Sequence, residues 1–283
     1  MYARGILGHL VAGLVLLSGA CHGATLDRLR QDDTIRIAYR RDAPPFSYQN
    51  GDAKPTGFIV DLCQAVVKRL SQQLNLPGLK VAYVPVTAAD RFSAIQDNKA
   101  DLLCEATTVT LARRKMIDFS VDTFVDGASL LTNVSGLTSL NAMVGHKIGV
   151  LAGTTTEQEL RDSLAAAGVT ADVVTVATHA DGLRMLDSGE LSAYFADRTI
   201  LWVLQASSKA PDRLMLADQY LTMEPYALGL PRGDDDFRYE VDRALSTIYR
   251  SGEIVPLLVQ TFGDKYQPSP ILQNLYLISA IPE

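Results

Sequence analysis

The sequence predicts an α/β protein of two lobes with mostly parallel sheets. Three observations carry that expectation: short β-like runs alternate with helical periodicity from Thr34 onward, the alternation occurs in two similar series, and two extended runs lie between the series. Ile35, Ile37 and Tyr39 alternate as in a strand, and Ile59, Leu62, Val66 and Leu70 then fall on one helical face. Lys80–Val84 reads as the next strand. Thr87 and Asp90 have the spacing of an acidic capping box, which predicts a helix through Ile95, and Asp101–Glu105 reads as a further strand.

The second series begins with the strand Lys147–Leu151, and Gly153-Thr154-Thr155-Thr156 opens a helix. A strand over Val173–Val176, a helix ending at Ser188-Gly189 and a strand over Ala193–Ala196 follow. The extended runs Val125–Thr132 and Pro225–Leu230 are expected to be hinge strands, and helices around Val241–Tyr249 and Val255–Phe262 close the chain. The expected division is residues 25–125 with 226–283 in lobe 1, and 126–225 in lobe 2.

Composition narrows the function. A formal charge of −6 and 20% charged residues give no basic excess of the kind that tracks a phosphate backbone, so nucleic acid is not an expected partner. Residues 1–24 read as an export signal: a charged start at Met1–Arg4, an apolar stretch over Ile6–Ala20, and small residues at a cleavage site. The stretch is shorter than the ~20 residues of a spanning helix, and His9 interrupts it. Cys21 is only a weak match to a lipid acceptor. Cys63 and Cys104 remain as an even pair in an exported chain, which predicts a disulfide, with two buried free thiols as the competing reading.

Open parallel sheets bind ligands beyond the carboxyl ends of their strands. The residues placed there are Arg40, Arg91, Thr107, Thr108 and Arg113 in the first series, and Gly153-Thr154, His179 and Asp197 in the second. An arginine fork suits a carboxylate, threonine hydroxyls and a helix N-terminus can assist it, and an aspartate can receive an ammonium group. Such a cleft suits a small zwitterion with more than one carboxylate. Each position also has an ordinary role open to it: surface charge for Arg40, helix starts for His179 and Thr154, a helix cap for Asp197. No metal cluster, nucleophile elbow or phosphate loop is present: the 4 histidines lack ligand spacing, and Gly149–Gly153 lacks the Lys-Ser/Thr of a nucleotide loop. No cofactor is expected.

The pieces Arg40 with Pro45-Phe46-Ser47-Tyr48, Gly57–Asp61, Val86-Thr87 with Arg91, Thr107-Thr108 with Arg113 and Phe119-Ser120, Gly153-Thr154-Thr155, His179 with Leu186–Gly189, and Asp197 occur in an order with a family likeness. From Thr34 to Phe262 the chain resembles the family-3 extracytoplasmic solute-binding proteins of amino-acid ABC transporters, most of all their glutamate/aspartate-binding branch. The resemblance implies a two-lobed type II periplasmic-binding-protein fold joined by two hinge strands. It further implies a periplasmic location, a monomer, an amino-acid or dicarboxylate ligand, and a membrane permease as partner. Arg113 would grip the α-carboxylate with help from Thr108 and the Gly153-Thr154 turn, Asp197 would receive the α-ammonium, and Arg40, Arg91 and His179 would face a side-chain carboxylate. Thr110 as N-cap would place Arg113 near a helix N-terminus, with Arg114 turned to solvent.

The chain departs from that branch at Ala88 and Ala106, where serine is usual, and at Glu105, where glycine is usual. The resemblance extends to periplasmic cyclohexadienyl dehydratases, so an enzyme on the same fold is the alternative, with Glu105 as an acid/base candidate. An ion-pair role for Glu105 is the favoured reading. A sensor module is the third class, disfavoured because no second apolar span precedes Glu283.

Overall fold

The computed structural model describes residues 25–283; the expected export signal and Cys21 lie outside the described residues. Helix α1 (Thr25–Asp32) leads into β1 (Thr34–Arg40), a short hairpin of β2 (Asp42–Ala43) and β3 (Ser47–Tyr48), and the long helix α2 (Phe58–Gln73). β4 (Lys80–Val86), α3 (Arg91–Gln96), β5 (Leu102–Leu103) and a single 3-10 turn over Arg113–Lys115 follow. β6 (Asp118–Asp126), β7 (Ala128–Thr132), β8 (Lys147–Leu151), α4 (Thr155–Ala166), β9 (Asp172–Val176), α5 (His179–Asp187), β10 (Ala193–Asp197) and α6 (Arg198–Ser207) make the middle of the chain. It closes with β11 (Met215–Leu216), β12 (Glu224–Leu230), α7 (Asp235–Ser251), α8 (Ile254–Phe262) and α9 (Pro270–Ser279).

Two sheets of five strands result, in the orders β4–β1–β5–β12–β6 and β11–β7–β10–β8–β9. In the first, β12 alone runs against its neighbours; in the second, β7 alone does so. The reversed strand in each sheet is the one reached from the other sheet, so the reversals mark the two crossings. Val125–Thr132, expected to be one hinge strand, is divided: β6 ends in the first sheet at Asp126 and β7 begins in the second at Ala128. A Cβ at the intervening Gly127 would lie 2.0 Å from the Thr222 carbonyl, so only glycine lets the two crossing segments approach so closely. Asp101–Glu105 is likewise shorter than expected, with only Leu102 and Leu103 in β5, because the chain turns after Cys104 and carries Glu105 out of the sheet.

Both faces of each sheet are covered. In the first, Ile35, Ile37, Leu62 and Val66 pack on one side and Ala38, Ile95, Leu103 and Phe119 on the other. Leu130, Ile148, Val150 and Leu160 form a separate core on one face of the second sheet. β8 and β10, buried on both faces, read as nearly continuous apolar runs, whereas β1 alternates and the edge strands β4 and β9 are only partly buried.

Cys63 on α2 and Cys104 just after β5 form a disulfide with a Cα separation of 6.3 Å, as expected from export and even pairing. It closes a loop of sequence separation 41. The entropy removed from the unfolded chain by a loop of this size is worth roughly 3–4 kcal/mol. The Cys63→Ser/Cys104→Ser double variant should therefore unfold at a temperature lower by several degrees, read by differential scanning calorimetry. An unchanged melting temperature would mean that the bridge does not stabilise the first lobe.

Candidate functional site

The residues that follow the carboxyl ends of β1, β4 and β5 meet those that follow β8, β9 and β10 across one cavity between the sheets. Arg40, Arg91, Thr108, Arg113, Thr154, His179 and Asp197 all line it, and so do Glu105, Ala106, Thr155 and Thr156. The atom-free space is about 440 Å³, part of it open to solvent.

Three guanidinium groups come from the first lobe, and their internal partners differ. Arg40, the last residue of β1, donates from Nε and Nη2 to Asp42 Oδ1 at 2.8 and 2.6 Å, and its Nη1 is 4.0 Å from Glu105 Oε2. Arg91 donates to the Ala88 carbonyl and, across the cleft, to the Gly153 carbonyl at 3.3 Å, while its Nε has no hydrogen bond. Burial pushes the Arg91 pKa down to about 10, with Glu105 opposing the fall. Arg113 makes one guanidinium hydrogen bond, from Nη1 to the Thr108 carbonyl at 2.7 Å, and sits 5.2 Å from the Phe92 ring centre. Of the three, all of which line the cavity, Arg113 has the most guanidinium donors without a partner.

Arg113 is held by its backbone N–H, which donates to the Thr110 hydroxyl at 3.1 Å. The helix expected here is one 3-10 turn, too short for aligned peptide dipoles, so its own field adds little to the guanidinium charge. Arg114 is exposed, as expected. The helix N-terminus that does face the site is that of α4, twelve residues long and capped by Thr154, whose hydroxyl accepts from Glu157 N–H. That hydroxyl also donates to the Leu151 carbonyl at 2.8 Å. Thr154 therefore orients the helix; the hydroxyl that meets the opposite lobe is that of Thr155, 3.3 Å from the Thr108 hydroxyl, while Thr156 donates to Asp197.

Glu224, absent from the sequence expectations, ties the lobes at this end. Its Oε2 accepts from Thr108 at 2.5 Å and from Thr155 at 2.8 Å, one residue from each lobe, and its Oε1 accepts from Thr222 at 2.7 Å. Nothing in its sequence neighbourhood distinguishes it from a surface acid. Asp197 ends β10 and accepts from the Tyr226 hydroxyl at 2.6 Å and from Thr156 at 3.4 Å. Burial raises its pKa well above the usual carboxylate range, and the charges of Glu224 and Asp126 raise it further.

His179 begins α5, and its Nδ1 meets the Tyr194 hydroxyl at 2.9 Å. The tyrosine ring reaches it over Gly182, where a Cβ would lie 2.3 Å from the ring. Burial, then the charge of Arg40, pushes the His179 pKa down to about 3, so the imidazole is neutral at physiological pH. Its backbone N–H donates across the cleft to Asp42 Oδ2 at 3.4 Å. Asp42 and Glu224 are thus both interlobe partners that sequence reasoning missed; only Asp42, directly beyond the β1 end, stood where such a residue could have been sought. Glu105 is buried, accepts from the Thr107 hydroxyl, and has Oε1 3.4 Å from Arg91 Nε. Among the described residues there is no group of three or more His, Cys, Asp or Glu placed to hold a metal.

A model of the bacterial extracellular solute-binding proteins, family 3, matches residues 35–264. The L-glutamate/L-aspartate-binding protein of Pseudomonas aeruginosa is 31% identical over 252 residues, covering 88% of this chain and 83% of that protein. The glutamate/aspartate import solute-binding protein of Escherichia coli is 29% identical over 271 residues, 95% of this chain and 90% of that one. An ancestral amino acid-binding protein described as a precursor of cyclohexadienyl dehydratase superposes with a TM-score of 0.72 at 26% identity, over 84% of this chain and 99% of its own. Matched along most of its length, and carrying the two mixed sheets of a type II periplasmic binding protein, the chain belongs to the family-3 bacterial extracellular solute-binding proteins.

Proposed function

We propose that the protein is the extracytoplasmic binding component of an amino-acid ABC importer, a periplasmic monomer that closes on a small acidic amino acid and presents it to a membrane permease. The observation that carries this reading is the cavity itself, where lobe 1 supplies three guanidinium groups and lobe 2 supplies a helix N-terminus and Asp197. The ligand α-carboxylate is assigned to Arg113, Thr108 and the α4 N-terminus, and the α-ammonium to Asp197. The side chain is assigned to the end formed by Arg40, Arg91 and His179. The relatives named for glutamate and aspartate support an acidic side chain there.

The lobes are residues 25–125 with 226–283, and 126–225; Pro225–Leu230, expected to be the second hinge strand, lies wholly in β12 of the first sheet, so Gly127 and the segment before β12 are the hinges. Closure at such hinges needs a few backbone dihedrals to change. Transport, not catalysis, is the reading: Glu105, the acid/base candidate, is engaged by Thr107 and lies between Arg40 and Arg91. No helix among the described residues is long and apolar enough to cross a membrane.

A thermal-shift screen tests this. L-Glutamate or L-aspartate at a hundred times its Kd should stabilise the folded protein by about 2.7 kcal/mol and raise its melting temperature, because the ligand binds only the folded state. No shift with any proteinogenic amino acid, or turnover of prephenate or arogenate by the purified protein, would overturn the proposal.

A further inference from the structure

One side chain at the distal end of the cavity has no part in holding an acidic ligand. Glu105 is buried and lines the cavity between Arg40 and Arg91. Its Oε1 is taken by the Thr107 hydroxyl, but its Oε2 accepts no hydrogen bond among the described residues, and the Arg40 nitrogen nearest it is 4.0 Å away. Arg91 Nε, also buried, has no hydrogen bond either and lies 3.4 Å from Glu105 Oε1. This end therefore presents one open acceptor, Glu105 Oε2, beside several guanidinium N–H groups of Arg40 and Arg91 that have no partner.

Charge agrees with that count. Arg40 and Arg91 are balanced by Asp42, bonded to Arg40 at 2.6 Å, and by Glu105, 3.4 Å from Arg91. His179 adds no charge when neutral, and Ala88 and Ala106 contribute no side-chain donors. A carboxylate placed here accepts from Arg91 but leaves Glu105 Oε2 facing another acceptor. A carboxamide satisfies both, because its carbonyl accepts from Arg91 and its NH2 group donates to Glu105. An apolar side chain satisfies neither, and buried polar groups left unpaired are the strongest basis for rejecting a ligand.

We propose that Glu105 is a specificity-determining residue that extends this site from acidic amino acids to those with a carboxamide side chain. The proposal rests on the amino-acid-binding reading above, with the ligand side chain at the Arg40–Arg91 end. Calorimetric titration with L-glutamate, L-aspartate, L-glutamine and L-asparagine tests it on the wild-type protein and on the Glu105→Ala and Glu105→Gln variants. In the wild type, at least one amide should bind within about tenfold of its parent acid. Both variants should shift the ratio of amide to acid affinity toward the acid by about tenfold or more, since alanine removes the acceptor and glutamine adds a donor for the carboxylate. Glu105→Gln keeps the volume of the side chain, and retained acid binding by either variant reports a folded site. Exclusion of both amides by the wild type, or an unchanged ratio in both variants, overturns the role of Glu105 and leaves the acidic reading standing. Failure of all four amino acids to bind overturns both.

Discussion

Arg113→Ala should abolish amino-acid binding, whereas Arg114→Ala should change affinity by less than about tenfold, or ~1.4 kcal/mol. The two are sequence neighbours on one turn, yet Arg113 is buried in the cleft and Arg114 is exposed, its guanidinium 5.9 Å from the Phe119 ring. Arg113 spends one hydrogen bond on the Thr108 carbonyl and keeps the rest of its fork for a ligand. Burial lowers its pKa, while Glu105, Glu224 and Asp197 act to raise it. An alanine there leaves the α-carboxylate without a counter-charge in a cleft that also holds those carboxylates. The loss should therefore exceed that of a single neutral hydrogen bond. Arg113→Lys should also be severely impaired, because an ammonium cannot make two parallel bonds to one carboxylate. Calorimetry on variants whose thermal unfolding is unchanged decides the matter. Equal losses at both positions, or a larger loss at Arg114, would show that the wrong arginine has been assigned.

That Arg113 is buried and Arg114 exposed was legible because it depended on family resemblance and on the angle between neighbours along a helical turn, a local property that survives although the expected helix is one 3-10 turn. Strand ends were legible for the same reason: β8 and β9 are apolar runs bounded by turn residues, so Thr154 and His179 could be placed without tertiary information. The partners of those residues were not. Glu224 reaches Thr108 across 116 sequence positions and Asp42 reaches His179 across 137, and no periodicity encodes either contact. The role of Thr154 shifted on the same account: its hydroxyl is bonded to its own helix and strand end, leaving Thr155 and Thr156 as the groups that bridge toward Glu224 and Asp197. The division of Val125–Thr132 followed from a steric fact, the Thr222 carbonyl crossing at Gly127, which only the folded chain reveals.

Asp197→Asn should weaken binding by about a hundredfold or more, ~2.7 kcal/mol, and flatten its pH dependence. Asparagine is nearly isosteric, and its Oδ1 can accept from one of the Tyr226 and Thr156 hydroxyls while its Nδ2 donates to the other, so the substitution removes charge with little change in packing. Burial and the neighbouring carboxylates of Glu224 and Asp126 raise the Asp197 pKa well above its ordinary value. An α-ammonium placed beside Asp197 reverses that balance, because an opposite charge at hydrogen-bonding distance favours the ionised carboxylate. The pKa of Asp197 is therefore higher in the free protein than in the complex, and binding releases a proton. Wild-type affinity should accordingly be greatest above the raised pKa of the free protein and fall as the pH drops through it. The same titration has the opposite sign for folding: a carboxyl raised above its unfolded pKa favours the folded state at low pH, and that contribution is lost as the pH rises through the folded value. The ligand-free protein should thus lose some stability over the pH interval in which its affinity for ligand increases. Calorimetry in buffers of different ionisation enthalpy measures the proton released. Proton uptake on binding, or affinity that rises as the pH falls, would show that Asp197 does not receive the ammonium group.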